Sequence, residues 1–372
     1  MEETKVDQRS ESPEYVRTSL AAAMTMGMIP GKFLNETKLY CINLLLTYAE
    51  GCVGKCAYCG LSKSRMTQKP WRENSFIRVN WPTVTIDDVI SRIKDNSCSH
   101  VERICVSMIT NGRARKDVLT VVNKLHENVD LISALITPTL IDKAWLQELK
   151  TAGADKVGVA VDAATLELFE KFRGRNVQGP HNWDKYWKTV EEAVDVFGRT
   201  NVGVHLIVGL GETEEEMVKT IQRAQDLGAK THLFSFFPED CSPMQGHPQP
   251  PIGNYRRIQL ARYLINQGVT SANKMRFNKG GQLTNFGLDE ALLNQIIESG
   301  QPFMTSGCSG KTMENACNRP FGNCTPYQAY IGELRNFPYQ PADEDITRIN
   351  KQRNEFSESK NQEKSSFTYE KD

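Results

Sequence analysis

From about residue 38, short runs of β-branched and other apolar residues alternate with longer stretches in which apolar positions recur every three or four residues. The short runs predict strands at "YCINLLLT", "HVERICVSMI", "DLISALIT", "DKVGVAVD", "NVGVHLIVG", "THLFSFF" and "VTSANKMRFN". The amphipathic stretches predict helices at "TIDDVISRIKD", "KDVLTVVNKLHEN", "DKAWLQELKTAG", "YWKTVEEAVDVFG", "TEEEMVKTIQRAQDLG" and "NYRRIQLARYLINQG". Several of these helices close on glycine, the residue that takes a left-handed C-cap most readily. A repeated strand-then-helix order builds parallel strands joined by right-handed crossovers. Six or seven such units predict an α/β fold, a TIM-type β/α barrel, complete or partial, with its chemistry at the C-terminal ends of the strands. A doubly wound open sheet is the competing arrangement.

The two ends break the pattern. Residues 1–37 form an N-terminal extension in which "EYVRTSLAAAMTMGM", 14–28, predicts a helix beside the barrel. The barrel is expected over 38–299. Residues 300–340 are rich in Gly, Pro, Cys and aromatics with weak periodicity, which suggests a cap held by something other than an apolar core. Charge and serine dominate 341–372, a composition that favours a disordered tail.

Composition narrows the class. With 372 residues and 39% hydrophobic content, the chain can bury one sizeable core. Lys plus Arg and Asp plus Glu are both 45, so no net field draws it to nucleic acid or an anionic membrane, and neither partner is expected. The apolar run "CINLLLTYA" falls far short of the roughly 20 residues of a spanning helix. "MEETKVDQRSESPE" lacks the layout of a signal peptide. A cytoplasmic location is therefore expected, and in that reducing compartment ten cysteines suggest metal ligands rather than a disulfide framework.

The sharpest motif is "EGCVGKCAYCG", which sets Cys52, Cys56 and Cys59 in one loop after the first barrel strand. A structural zinc site closes its tetrahedron with four ligands, and this loop offers three thiols and no neighbouring His. A 4Fe-4S cluster normally takes four thiolates; held by three, it keeps one iron open to a substrate. Three unrelated buried or zinc-binding cysteines are the bland alternative. Tyr58 stands where a ring can pack on the base of a bound cofactor.

This spacing, with an aromatic before the third cysteine, resembles the signature of the radical S-adenosylmethionine (SAM) superfamily. The segment "VGVAVDAATLELFEKFRGR" resembles the fourth strand and following turn of biotin synthase-like members. The resemblance implies that Asp162 bonds the cofactor's ribose hydroxyls, a helix N-cap being the alternative role. It makes Arg173 and Arg175 candidates for its carboxylate, unless they are ordinary surface charges. "HLIVGLGETEEE" is similar to the fifth-strand motif, with Ile207 against the adenine, Gly209 and Gly211 allowing close approach and Glu212 leading into the next helix, although His205 stands where the family often has Gly. "VSMITNG" replaces the usual Gly-Gly-Glu, which leaves Ser107, Thr110 and Asn111 as candidates for the cofactor's amino group. The implied cofactors are S-adenosyl-L-methionine and a 4Fe-4S cluster with an open iron.

The cap contains "TSGCSGKTMENACNRPFGNC", with Cys308, Cys317 and Cys324 between turn-forming residues. They are candidate ligands of a second, auxiliary 4Fe-4S cluster facing the first across the barrel mouth, with a zinc knob as the alternative. Residues 38–340, including the element Asn318-Arg319-Pro320, resemble one subunit of the archaeal-type two-protein lipoyl synthase. That resemblance implies sulfur insertion into an octanoyl chain on a lipoyl-carrier protein, the auxiliary cluster being the sulfur donor. It further implies a second lipoyl synthase subunit and an electron donor such as ferredoxin or flavodoxin. A related radical SAM enzyme acting on another substrate, by biotin-type sulfur insertion or amino acid rearrangement, is the first alternative; a non-catalytic zinc-binding module is the second. Cys241, Ser306 and Cys41 are candidates for the auxiliary cluster's fourth ligand. Cys98 and Cys105 are read as packing, and no catalytic role is given to His181, His232 or His247.

Overall fold

A computed structural model describes residues 10–61, 75–77, 79–318, 330–332 and 334–356. Its main sheet has eight strands: β1 (Tyr15–Thr18), β2 (Cys41–Leu46), β3 (Thr83–Thr85), β4 (Arg103–Ser107), β5 (Ile132–Ile136), β6 (Ala154–Asp162), β7 (Val202–Val208) and β8 (Lys230–Ser235). The last five pair in parallel in chain order after β2, and β1 and β3 extend the β2 edge antiparallel, giving β8-β7-β6-β5-β4-β2-β1-β3. The strands read as continuous apolar runs because both faces are covered; every residue of β2 is buried. Residues from all six parallel strands line one cavity. The sheet thus curves into a partial barrel, open between β8 and β3.

After the short α1 (Leu20–Thr25) come the covering helices α2 (Ile86–Ile93), α3 (Ala114–His126), α4 (Lys143–Thr151), α5 (Leu166–Phe172), α6 (Trp183–Phe197), α7 (Glu214–Leu227), α8 (Ile252–Asn266) and α9 (Glu290–Glu298). Six of them, α2, α3, α4, α6, α7 and α8, are those the periodicity predicts, while α5 and α9 are additional. Side chains of Thr85, Asp142, Thr165, Asn182, Thr213 and Asp289 cap the N-termini of α2, α4, α5, α6, α7 and α9.

Four expectations are corrected. The N-terminal segment is split: "YVRT" is β-branched enough to join the sheet edge as β1, and Ser19 then caps α1. In "VTSANKMRFN" only Arg276–Phe277 is strand, and it pairs with Leu283–Asn285 outside the main sheet. The turn at Gly280 and Gly281 makes a local hairpin cheaper than a seventh crossover. Part of the charged tail is ordered, as α10 (Asp343–Arg353), because Ile346 and Ile349 bury an apolar stripe three residues apart.

The fourth correction moves the cap. Tyr40 N–H donates to Asn318 Oδ1 and Asn318 Nδ2 to the Lys38 carbonyl. Glu102 accepts from the backbone of Thr312 and Met313, and Arg103 Nε donates to the Ser309 carbonyl. Lys38, Tyr40, Glu102 and Arg103 stand at the starts of β2 and β4. Cap residues 305–318 therefore close the N-terminal end of the barrel instead of facing the loop of Cys52 across the mouth. Ser306 Oγ also accepts from Leu233 N–H, covering part of the β8 edge.

Candidate active site

The loop after β2 is pinned to the C-terminal rim by backbone bonds from three directions. Val53 N–H donates to the Thr110 carbonyl beyond β4, Ala57 N–H to the Phe172 carbonyl at the end of α5, and Met244 N–H to the Ala57 carbonyl. Cys52, Cys56 and Cys59 all reach the cavity. Amide groups of Gly54 and Thr110 point at Cys52 Sγ, each at 3.4 Å, and that of Leu61 at Cys59 Sγ at 3.5 Å. Burial pushes the Cys56 thiol up to about 11, a penalty that a bound metal's positive charge removes. Three thiols on one cavity wall, with N–H donors at Cys52 and Cys59, suit an iron-sulfur cluster. Among the described residues, no group of three or more His, Cys, Asp or Glu is gathered to hold a metal ion.

Asp162 ends β6 at φ +66°, in the left-handed region, where the β6–β7 register also shifts. A non-glycine residue is held there only when its surroundings over-determine it. They do: Tyr58 Oη donates to Asp162 Oδ2 at 2.6 Å, and Arg173 Nη1 donates to the same oxygen at 2.6 Å. Arg173 is buried and also donates to the Val161 carbonyl and the Tyr186 hydroxyl. The N-cap of α5 is Thr165, so capping is not the role of Asp162. The tyrosine inside the cysteine motif is thereby bonded to the carboxylate ending β6. Tyr58→Phe is expected to lower stability by about 1.5–3 kcal/mol, the range for a hydrogen bond to a charged group, with iron content unchanged; urea unfolding beside iron analysis checks both.

Other candidates divide. Ser107, Thr110 and Ile207 lie on the cavity wall. Asn111 does not; its amide donates to the Gly51 carbonyl and accepts from Arg113 N–H, so it braces the loop. Gly209 is also off the wall: it takes φ +106°, its N–H donates to Glu212 Oε1, and a Cβ there would lie 2.6 Å from Pro250. Arg175 projects into solvent and pairs with Glu170, because the turn after α5 directs it away from the barrel. His181, given no role from sequence, does line the cavity; its ring is bonded to Thr139 and Tyr186, and burial with Arg173 nearby lowers its pKa to about 2. His205 and His232, paired in register on β7 and β8, face each other edge-on across 5.5 Å at mid-cavity. Strand alternation was the available signal for both.

The opposite end of the same cavity holds a second group of thiols. Cys308 and Cys317 line it together with Asn43 and Cys105. The Cys41 thiol is hydrogen-bonded to that of Cys317. Asn43 Nδ2 lies 3.9 Å from Cys41 Sγ and 3.7 Å from Cys317 Sγ. Cys105 is thus a wall residue of the cavity rather than packing between layers, since Asn43 and Cys105 are opposed in register on β2 and β4. Cys98, by contrast, is packed as expected, near the Thr25 carbonyl. Cys241 lies in the loop after β8, off the cavity wall, and Ser306 Oγ is engaged with β8. Cys324 and Arg319-Pro320 lie outside the described residues.

The cavity between the two groups measures about 330 Å³. Leu45, Trp81, Met108, Leu135, Ile207 and Phe234 give it a mainly apolar wall. Among the described residues, the cationic side chain on that wall is Arg173, already paired with Asp162. No helix among the described residues is long and apolar enough to cross a membrane.

Comparison with known proteins adds the following. The family model described as "Radical SAM superfamily" matches residues 46–224. The molybdenum cofactor biosynthesis protein moc-5 of Caenorhabditis elegans is 22% identical over 198 residues, covering 52% of this chain and 30% of the relative. A probable GTP 3',8-cyclase of Saccharolobus islandicus is 28% identical over 125 residues, covering 33% of this chain and 38% of the relative. The chain thus spans about a third of the length of these curated relatives. Among solved structures, methylornithine synthase aligns over 66% of each chain at 13% identity with a TM-score of 0.44.

Proposed function

The chain belongs to the radical SAM superfamily, and from that premise we propose that it is a sulfur-inserting enzyme acting on an octanoyl chain carried by a lipoyl-carrier protein. Family membership implies a 4Fe-4S cluster and S-adenosylmethionine. Cys52, Cys56 and Cys59 are the residues to hold that cluster, which when bound supplies the electron that splits S-adenosylmethionine. Asp162, kept in position by Tyr58 and Arg173, is the candidate for the ribose hydroxyls, and Ile207 for the adenine.

The observation that carries the substrate reading is a mainly apolar cavity with thiols at both ends. An aliphatic chain gains about 0.8 kcal/mol for each methylene moved from water to such a wall, and its unactivated carbons then lie between the site of radical generation and the second thiol group. A nucleoside triphosphate, which the cyclase name of some relatives brings to mind, needs several cations, and among the described residues the wall offers one guanidinium, already paired. A second related subunit and an electron donor such as ferredoxin or flavodoxin complete the proposal.

The test is substrate-stimulated formation of 5'-deoxyadenosine under anaerobic conditions with reductant. An octanoyl-lysyl peptide is expected to raise it and GTP to leave it at the uncoupled rate. Stimulation by GTP alone would transfer the chain to the cyclase reading.

A further inference from the structure

We propose that the N-terminal end of the barrel is a second iron-sulfur site whose ligands are Cys41 of β2, Cys105 of β4, and Cys308 and Cys317 of the cap. The site requires neither Cys324 nor Cys241. Two ligands thus come from the barrel wall itself, and the cap supplies the other two by folding underneath it. This deepens the auxiliary cluster of the proposed function but does not depend on the substrate: an enzyme of another specificity would still have this site.

Three independent features of the structure converge on it. The first is placement. Cys41 and Arg103 are opposed in the parallel register, as are Asn43 and Cys105 two residues on, so both barrel thiols belong to the same end of neighbouring strands. The cap's Cys317 N–H donates to the Cys308 carbonyl, which fixes the two cap thiols relative to each other. A Cβ at Gly307 would lie 2.3 Å from the Cys317 carbonyl oxygen, so that turn is closed tightly enough to need glycine.

The second feature is the polar environment of the sulfurs. The Asn43 amide reaches toward both Cys41 Sγ and Cys317 Sγ, at 3.9 and 3.7 Å, while its own Oδ1 is buried without a hydrogen-bond partner. An isolated cysteine needs no such donor, whereas ligating sulfurs are tuned by donors of this kind. Donors also point at the sulfurs of the family loop at the other end.

The third feature is charge. Arg103 is almost fully buried, is held bidentately by Asp155, and donates Nε to the Ser309 carbonyl next to Cys308. Arg103 and the half-buried Lys156 both interact electrostatically with Cys308. Four thiolates gathered at one end of a mainly apolar cavity require cations, from the metal and from the protein. Two basic side chains that interact with Cys308 supply the protein's share.

The first cluster must be silenced to read the second. In a Cys52/Cys56/Cys59→Ala background, anaerobically isolated and reconstituted chain is expected to retain iron and acid-labile sulfide in equal amounts, at about half the wild-type content, with the Mössbauer signature of a 4Fe-4S cluster. Adding Cys41→Ala together with Cys105→Ala should remove that remaining iron. Adding Cys324→Ala, or Cys98→Ala as a control for loss of a buried thiol, should leave it in place. Far-ultraviolet circular dichroism and Cys41→Ser separate lost ligation from lost folding. Iron that survives the Cys41 and Cys105 substitutions, iron that depends on Cys324, or zinc in place of iron would each overturn the assignment. None of these outcomes bears on which substrate the chain uses, which the octanoyl peptide assay reads separately.

Discussion

Replacing Cys52, Cys56 and Cys59 together by Ala is expected to reduce 5'-deoxyadenosine formation to the level of a control without protein. The three side chains converge on the cavity from a loop that backbone bonds at Val53, Ala57 and Met244 hold to the rim. Those bonds do not use the thiols, so the variant should keep the far-ultraviolet spectrum and most of the stability of the wild type. The loss then lies in ligation and not in folding. Undiminished cleavage in a folded triple variant would remove the radical reading of the loop.

Arg257→Met is expected to produce the largest loss of stability, about 3–5 kcal/mol, the range for stranding one member of a buried ion pair. Arg257 and Glu214 are 2% and 1% exposed, and their charged atoms meet at 2.6 Å. Glu214 also accepts from Leu283 N–H, and Arg257 donates to the carbonyls of Arg353 and Glu355. One pair therefore ties α7, α8, the short hairpin and the end of α10 together. Urea denaturation read by tryptophan fluorescence measures the change. A loss below about 1 kcal/mol, the range of an exposed pair, would mean that the surrounding hydrogen bonds carry the junction without it.

The parallel strands and covering helices could be read from the sequence because each obeys a local rule. β4, β5 and β7 are short apolar runs, and α4 and α7 show apolar stripes bounded by caps. Asp162 could be picked out as a functional candidate, but its positive φ and its clamp by Tyr58 and Arg173 depend on contacts between residues 104 and 11 positions apart. The cap was harder. Its weak periodicity indicated irregular structure but carried no information about which end of the barrel it closes, a matter decided by pairings such as Asn318 with Tyr40, 278 residues apart. Cys105 looked like a core cysteine for the same reason. An apolar strand with a thiol on its inner face has the same pattern whether the interior is packed or holds a site. Ile346 and Ile349 show the reverse case, two apolar residues in a charged segment being enough to dock α10.

The central claim is that the thiols at the N-terminal end of the cavity hold the sulfur that is transferred. It is tested most directly by reconstituting the chain anaerobically with heavy-isotope sulfide, removing the excess, and incubating it with S-adenosylmethionine, reductant, unlabelled sulfide, an octanoyl-lysyl peptide and the related subunit. Mass spectrometry of the peptide then reads the origin of each inserted sulfur. The account predicts heavy sulfur in the product and its loss when Cys308 and Cys317 are replaced by Ala in a chain that still forms 5'-deoxyadenosine. Product carrying only unlabelled sulfur, or labelled product from the Cys308/Cys317→Ala chain, would contradict it.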